Sequence, residues 1–209
     1  MKKSVQFLIL ALLLSTNFIN AQNVTVANTK MNVVYIGVDN PISISVSDNS
    51  AEDIEVKVSD GEIKGEAGKY IWRVSTPGNA EVAVSIKGKI IETFNYRVKR
   101  IPDPVAVVGK TMSGSMTAAE LKAQPGVNSV INNFDFDAQC QTVSFVMTVV
   151  RKNADPVDTS NNGAKFSTTA KRLINTVEAG SIVYIENVKC KCPGDAAARK
   201  INSIVIKVK

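Results

Sequence analysis

The chain is predicted to be mainly β: an immunoglobulin-like β-sandwich over residues 22–100, then a small α+β domain with two short helices over residues 101–209. Three observations predict this. Between residues 31 and 98, short runs of alternating apolar and polar residues are divided by turn residues, with no helical period. After residue 117, strand-like runs are interleaved with two helix signatures. Between these stretches lies Lys99-Arg100-Ile101-Pro102-Asp103-Pro104, where each proline drives the residue before it into extended geometry and makes a short, stiff connector.

The chain opens with a leader. Met1-Lys2-Lys3 is basic, residues 5–14 are an apolar run, and Ser15 to Ala21 ends on a small residue, the pattern of a signal peptide over residues 1–21. Cleavage is expected near Ala21, although Ile19 is bulky for the third position before the cut. The apolar run is shorter than the roughly 20 residues a spanning helix needs, so no integral membrane anchor is expected. No cysteine follows the cut, so no lipid anchor is expected either. The expectation is an exported periplasmic protein.

In the first domain, Asn32 to Val38 is an apolar run. Ile42, Ile44 and Val46 alternate with serines, and Ile54, Val56 and Val58 alternate with Glu55 and Lys57. Tyr70, Trp72 and Val74 share a face, as do Val82, Val84 and Ile86, and then Phe94, Tyr96 and Val98. Asp60-Gly61, Pro77-Gly78 and Lys87-Gly88 mark turns. The domain has no cysteine, so apolar packing must hold it, and Trp72 is expected in that core.

In the second domain, Thr117 and Glu120 form a capping box for a helix through Ala123, stopped by Pro125-Gly126. Phe134-Asp135-Phe136-Asp137 reads as a strand with its two carboxylates on the wet side. Thr142 to Val150 is apolar on both faces, which predicts a central strand covered on both sides. Arg151 to Gly163 reads as a polar loop. A second helix is expected from about Thr168 to Ala179, capped by Ser167 or Thr168 and stopped by Gly180. Ser181 to Val188 and Asn202 to Val208 are further strands.

Charge and composition narrow the function. Residues 22–101 carry 10 basic and 10 acidic side chains, and residues 102–209 carry 13 and 9. That surplus is too thin for a nucleic-acid binder, which shows a dense basic stripe. The chain has no histidine, which removes the usual base of a serine or cysteine triad and the commonest zinc ligand. No Gly-rich phosphate loop or nucleophile elbow appears, and Asp135 with Asp137 is too generic a pair for a glycosidase. No enzyme activity, catalytic residue, metal or cofactor is expected. Of the three cysteines, Cys190 and Cys192 lie two apart on one strand face, where a bridge between them would be strained. Cys140 paired with either one is the expected disulfide, leaving one thiol over.

Three strings point to a family: Asn32-Val33-Val34-Tyr35-Ile36-Gly37-Val38-Asp39-Asn40-Pro41-Ile42, Arg97-Val98-Lys99-Arg100-Ile101-Pro102-Asp103-Pro104-Val105-Ala106, and Phe134-Asp135-Phe136-Asp137-Ala138 followed by Val143-Ser144-Phe145. Together they resemble the C-terminal periplasmic domains of the GldM (PorM) family of gliding-motility and type IX secretion shaft proteins, over roughly residues 23–209. The resemblance implies a dimeric periplasmic shaft of Bacteroidota, anchored in the inner membrane by a transmembrane helix and approaching an outer-membrane ring at its distal end. The chain carries a leader where the family carries that helix, so it is expected to act as the distal tip alone. The implied function is a protein–protein interaction module docking an envelope protein, such as an outer-membrane ring component or a second copy of the chain. Partner-binding candidates are Arg151, Lys152, Asp155 and Asp158 in the polar loop, and Lys189, Lys191, Arg199 and Lys200 near the last strands. The alternative is a glycan- or peptidoglycan-binding sandwich with Trp72, Tyr70 and Tyr96 as an exposed platform.

Overall fold

Among the described residues, seven strands build the N-terminal half: β1 (Val33–Tyr35), β2 (Asn40–Ser43), β3 (Ile54–Val58), β4 (Glu62–Glu66), β5 (Lys69–Arg73), β6 (Gly78–Ile86) and β7 (Lys89–Lys99). The computed structural model describes residues 31–46 and 50–209, so the predicted leader lies outside the described residues. About half the chain is strand and a tenth helix, which agrees with the mainly-β prediction. One sheet has the order β1-β7-β6-β3 and the other β2-β5-β4. All pairs are antiparallel except β1 with β7, which run parallel with Val33 opposite Arg97.

The sheets close on one core of Val34, Trp72, Val74, Ala80, Val82 and Val98, with Ile42, Val56, Ile63 and Tyr96 against it. Trp72 is 0% exposed. Its indole Nε1 donates to the Asp60 carbonyl at 2.8 Å, and Tyr96 meets it edge-on at 5.4 Å. A buried indole needs that acceptor, and Asp60 is placed to give it because its own carboxylate caps the next turn. It accepts from the Ser75 and Thr76 backbone amides at 2.8 and 3.1 Å. Asn40, also buried, accepts from the Tyr35 amide and donates to the carbonyls of Tyr35, Val38 and Trp72. One side chain thus ties the two sheets together. Strand β4 has no counterpart in the sequence reading, because Glu62-Ile63-Lys64-Gly65-Glu66 carries a single apolar residue.

The C-terminal half contains β8 (Val105–Val108), β9 (Gly114–Met116), α1 (Ala118–Ala123), β10 (Val127–Val130), β11 (Gln141–Val150), β12 (Val157–Asn162), α2 (Thr168–Asn175), β13 (Ile182–Lys191), β14 (Arg199–Lys200) and β15 (Ile204–Val208). The main sheet runs β12-β11-β13-β15-β9, with β14 on β13, and β8 and β10 form a separate ribbon. A single large core collects the inward residues: Phe145, Met147 and Val149 of β11, Val183 and Ile185 of β13, Ile204, Ile206 and Val208 of β15, and Ala170 and Ile174 of α2.

Both helix caps follow the sequence. Thr117 and Glu120 exchange capping-box bonds, and Ser167 Oγ accepts from Ala170. Four details differ from expectation. Helix α2 ends at Asn175, capped by Thr176, and the stretch to Gly180 is a turn. The predicted polar loop folds into hairpin strand β12 against β11. Phe134–Asp137 is an extended loop, not a strand, because its phenylalanines pack on the other half rather than on a neighbouring strand. In β11 the register shifts near Ser144, which reverses the alternation at its start. Thr142 is therefore buried, and Val143, grouped by alternation with Phe145, is 41% exposed.

Candidate functional site

Two features stand out as functional surfaces: the joint between the halves, and the face of the main sheet turned away from the core.

The joint is made by backbone and aromatic contacts between the halves, braced by a disulfide and an arginine of the C-terminal half. Gly37 has φ +84° and sits against the Pro193 backbone, where any Cβ would collide; Gly194 packs as closely on Ile36. Tyr35 receives Phe134 and Phe136 edge-on at 4.9 and 5.3 Å. These rings surround Val38, Ile101 and Cys192, a third buried cluster drawn from both halves. Cys140 and Cys192 form a disulfide that closes the base of the Phe134–Phe136 loop. Of the two pairings left open by the sequence, Cys140–Cys192 is the one formed, and Cys190 is the leftover thiol, buried, with that burial pushing its pKa up.

Arg199 locks the connector. Its Nη1 donates to the Ile101 carbonyl at 2.8 Å and to Asp103 at 2.7 Å, while Nε and Nη2 grip Asp195 at 2.8 and 2.7 Å. Asp195 also accepts from the Cys192 amide at 2.8 Å. Burial pushes the Asp195 carboxyl up, but Arg199 and the Cys192 amide outweigh it and hold the carboxyl below its usual range. Arg199 is held above its ordinary value by the same bond. Beside the joint a groove of ≈ 740 Å³ is lined by Asp39, Arg73, Asp135 and Asp137, and there Arg73 pairs with Asp39.

The second surface follows from strand alternation. Inward residues on β11 are Phe145, Met147 and Val149, so Val146, Thr148 and Val150 point the other way. Their cross-strand partners share that face: Glu186 opposite Val146, Tyr184 opposite Thr148, Ile182 opposite Val150. Val205 stands opposite Tyr184 and Lys207 opposite Ile182. None of these apolar residues belongs to a buried cluster, and all are half-buried. The prediction that β11 is covered on both sides is therefore corrected: it is hydrogen-bonded on both edges, but only one of its faces is packed. Asn187, at φ +50°, adds a bulge that resets β13, so that Val188 and Cys190 turn in while Lys189 and Lys191 join the outer face.

The sequence candidates divide accordingly. Lys189, Lys191 and Lys200 gather at one end of the outer face, since Lys200 pairs with Lys189. Asp158 lies on its β12 edge, opposite Thr148. Arg151, Lys152 and Asp155 sit at the β11–β12 turn, at the other end of the strands. Arg199 is turned inward and belongs to the joint. Sequence reasoning missed Val146, Val150, Ile182, Tyr184, Val205 and Lys207; the signal was apolar residues on the even positions of β11, read as a mark of double coverage. The aromatic platform is also corrected. Trp72 and Tyr70 are core residues and Tyr96 packs edge-on against Trp72, so the three rings present no stacking surface.

Among solved structures, likenesses are distant. The adhesin InvE of Yersinia pseudotuberculosis shares 10% identity at a TM-score of 0.25, covering 85% of this chain and 57% of that one. InvD of the same organism shares 10% at 0.23, covering 75% and 58%. A DUF3823 family protein from Bacteroides ovatus shares 9% at 0.21, covering 82% and 100%. The chain spans somewhat over half the length of the two Yersinia proteins. No curated protein matches the chain. Two family models do: the GldM third domain over residues 23–99 and the GldM C-terminal domain over residues 102–209. With two consecutive domains of one family spanning nearly its whole length, the chain belongs to the GldM family.

Proposed function

We propose that this chain is a structural, non-enzymatic element of a GldM-type envelope assembly, working in the periplasm as the distal part of a gliding or type IX secretion shaft and docking an envelope protein there. The joint supports this reading most directly. Domains within a chain usually move against one another unless a large or apolar interface stops them. Here an aromatic clasp joins the halves across a six-residue connector, the Arg199 bonds hold that connector to the C-terminal half, and a disulfide within that half braces the loop that carries the clasp. An element that must hold a docking surface at a set distance and angle benefits from such stiffness; a module that only recognises a ligand does not need it. The partners this reading names are an outer-membrane ring component and a second copy of the chain.

The test is capture of the tagged full chain from the native envelope, with recovered proteins identified by mass spectrometry. Ring or shaft components of type IX secretion are expected. Recovery of an unrelated envelope complex, or of peptidoglycan alone, overturns the reading.

A further inference from the structure

We propose that the outer face of the β12-β11-β13-β15-β9 sheet is a docking surface for an acidic protein partner; this rests on the reading of the chain as a docking element and assigns that role to particular residues.

The chemistry of the face is graded. Its centre is Val146, Val150, Ile182, Tyr184 and Val205, apolar side chains standing in adjacent rows on three neighbouring strands. Such positions on a solvent face are ordinarily polar, because alternation lets the outer side of an antiparallel sheet stay wet at no cost. A contiguous apolar patch with a tyrosine at its middle is the composition of an interface core. Around it stand four lysines, Lys189, Lys191, Lys200 and Lys207, against two carboxylates, Glu186 and Asp158. The surplus faces a partner with carboxylates at its rim.

The size fits. The two ten-residue strands β11 and β13 run roughly 33 Å. Five strands at about 4.8 Å spacing make the sheet roughly 20 Å wide. That is on the order of 600 Å², close to one partner's share of a specific protein interface. An anionic lipid surface fits less well: the centre is flat and apolar rather than basic, and Glu186 and Asp158 on the same face repel headgroup phosphates.

The experiment places a photo-crosslinking benzoylphenylalanine at Tyr184 in the full chain expressed in its native host, with Glu55 on the outer face of the N-terminal sandwich as the control position. The expected result is a crosslink from Tyr184 to another protein through a peptide rich in Asp and Glu, and none from Glu55. Reversing Lys189, Lys200 and Lys207 to Glu lowers that yield roughly tenfold, while the unfolding midpoint stays put. An unchanged yield after charge reversal overturns the proposal. So does a Tyr184 crosslink only to a second copy of the chain. Cosedimentation with phosphatidylglycerol vesicles that the reversal abolishes, without a protein crosslink, overturns it in favour of a membrane surface. If the envelope capture succeeds but crosslinks arise at Glu55 and not at Tyr184, this face is wrong and the docking function stands.

Discussion

The outer face of the β3-β6 pair in the N-terminal half and that of β11, β13 and β15 in the C-terminal half obey the same alternation and end with opposite chemistry. On β3 and β6 of the N-terminal sandwich, the outward residues Glu55, Lys57 and Glu81 are all exposed, and the exposed apolar side chains of this half, Ile71 on β5 and Ile90, Ile91 and Phe94 on β7, stand on other strands. On the C-terminal sheet, the residues pointing away from Met147 include Val146, Tyr184 and Val205, half-buried. Both halves bury an apolar core on the inner side, so period alone does not separate them. What separates them is the identity of the outward residue. A charged outward residue marks a face finished by solvent. A contiguous set of β-branched and aromatic ones, as on β11, β13 and β15, marks the face proposed above to take its next layer from a partner; an isolated one such as Ile71 does not.

The sharpest way to break that contrast is to truncate the central aromatic of each half. Trp72→Ala should cost about 3–5 kcal/mol in denaturant unfolding, since it empties a fully enclosed site and orphans the Asp60 carbonyl. Tyr184→Ala should cost no more than about 1 kcal/mol, the worth of cross-strand packing on an open face. Equal costs would mean that the Tyr184 face is covered within the chain and the comparison is false.

The two arginine–aspartate pairs extend the comparison. Arg199 and Asp195 lie at the joint with side chains 16% and 2% exposed, whereas Arg73 and Asp39 are open to water at the groove. Arg199→Ala leaves the buried Asp195 carboxylate without its counter-charge and should cost about 3 kcal/mol, the low end for a broken buried pair because the arginine keeps some exposure. Arg73→Ala should leave the unfolding midpoint where it is, as exposed pairs usually do. A large loss from Arg73 and none from Arg199 would reverse the assignment of which pair carries stability.

Most of this architecture was legible in the sequence, and the misreadings share a cause. The sandwich strands, both helix caps and the burial of Trp72 follow from local pattern, because each rests on neighbours a few residues apart. Strand β4 and strand β12 escaped notice because their pairing comes from β5 and β11 rather than from their own residues. Phe134 and Phe136 looked like one face of a strand; their partner is Tyr35, about a hundred residues away in sequence. The even positions of β11 announced an apolar face correctly, but whether a chain covers such a face itself depends on how many layers its remaining length can build. Arg199 looked like a surface cation because nothing near it in sequence announces Ile101 and Asp103.

Reduction of Cys140–Cys192 sharpens the role of the joint. The bridge closes 52 residues of chain, and its loss should cost about 2–3 kcal/mol. The N-terminal sandwich contains no cysteine and holds the only tryptophan. Trp72 fluorescence therefore reports the sandwich, and far-UV circular dichroism reports both halves. In reductant, the dichroism transition should fall to lower denaturant than the fluorescence transition. If both fall together, the halves unfold as one cooperative unit even though the bridge lies within the C-terminal one.

The smallest expected effect is in pH, where the groups act with opposite signs. Burial pushes Asp60 and Asp195 up, but the Ser75 and Thr76 bonds on the first and the Arg199 and Cys192 bonds on the second hold both below their ordinary value. Unfolded carboxyls, near 3.9, bind protons before the folded ones do, so their stabilisation is complete above about pH 4 and fades as the pH falls through the folded values. Cys190 is pushed up by burial, so its contribution is complete below the unfolded thiol value of about 8.5 and fades as the pH rises through the folded one. Asp60→Asn should flatten the acid limb seen by Trp72 fluorescence, Asp195→Asn the acid limb seen by dichroism, and Cys190→Ala the alkaline limb alone. An acid limb that Asp195→Asn leaves steep would mean that the joint does not draw on this carboxylate's charge, and that the aromatic clasp holds it without Arg199.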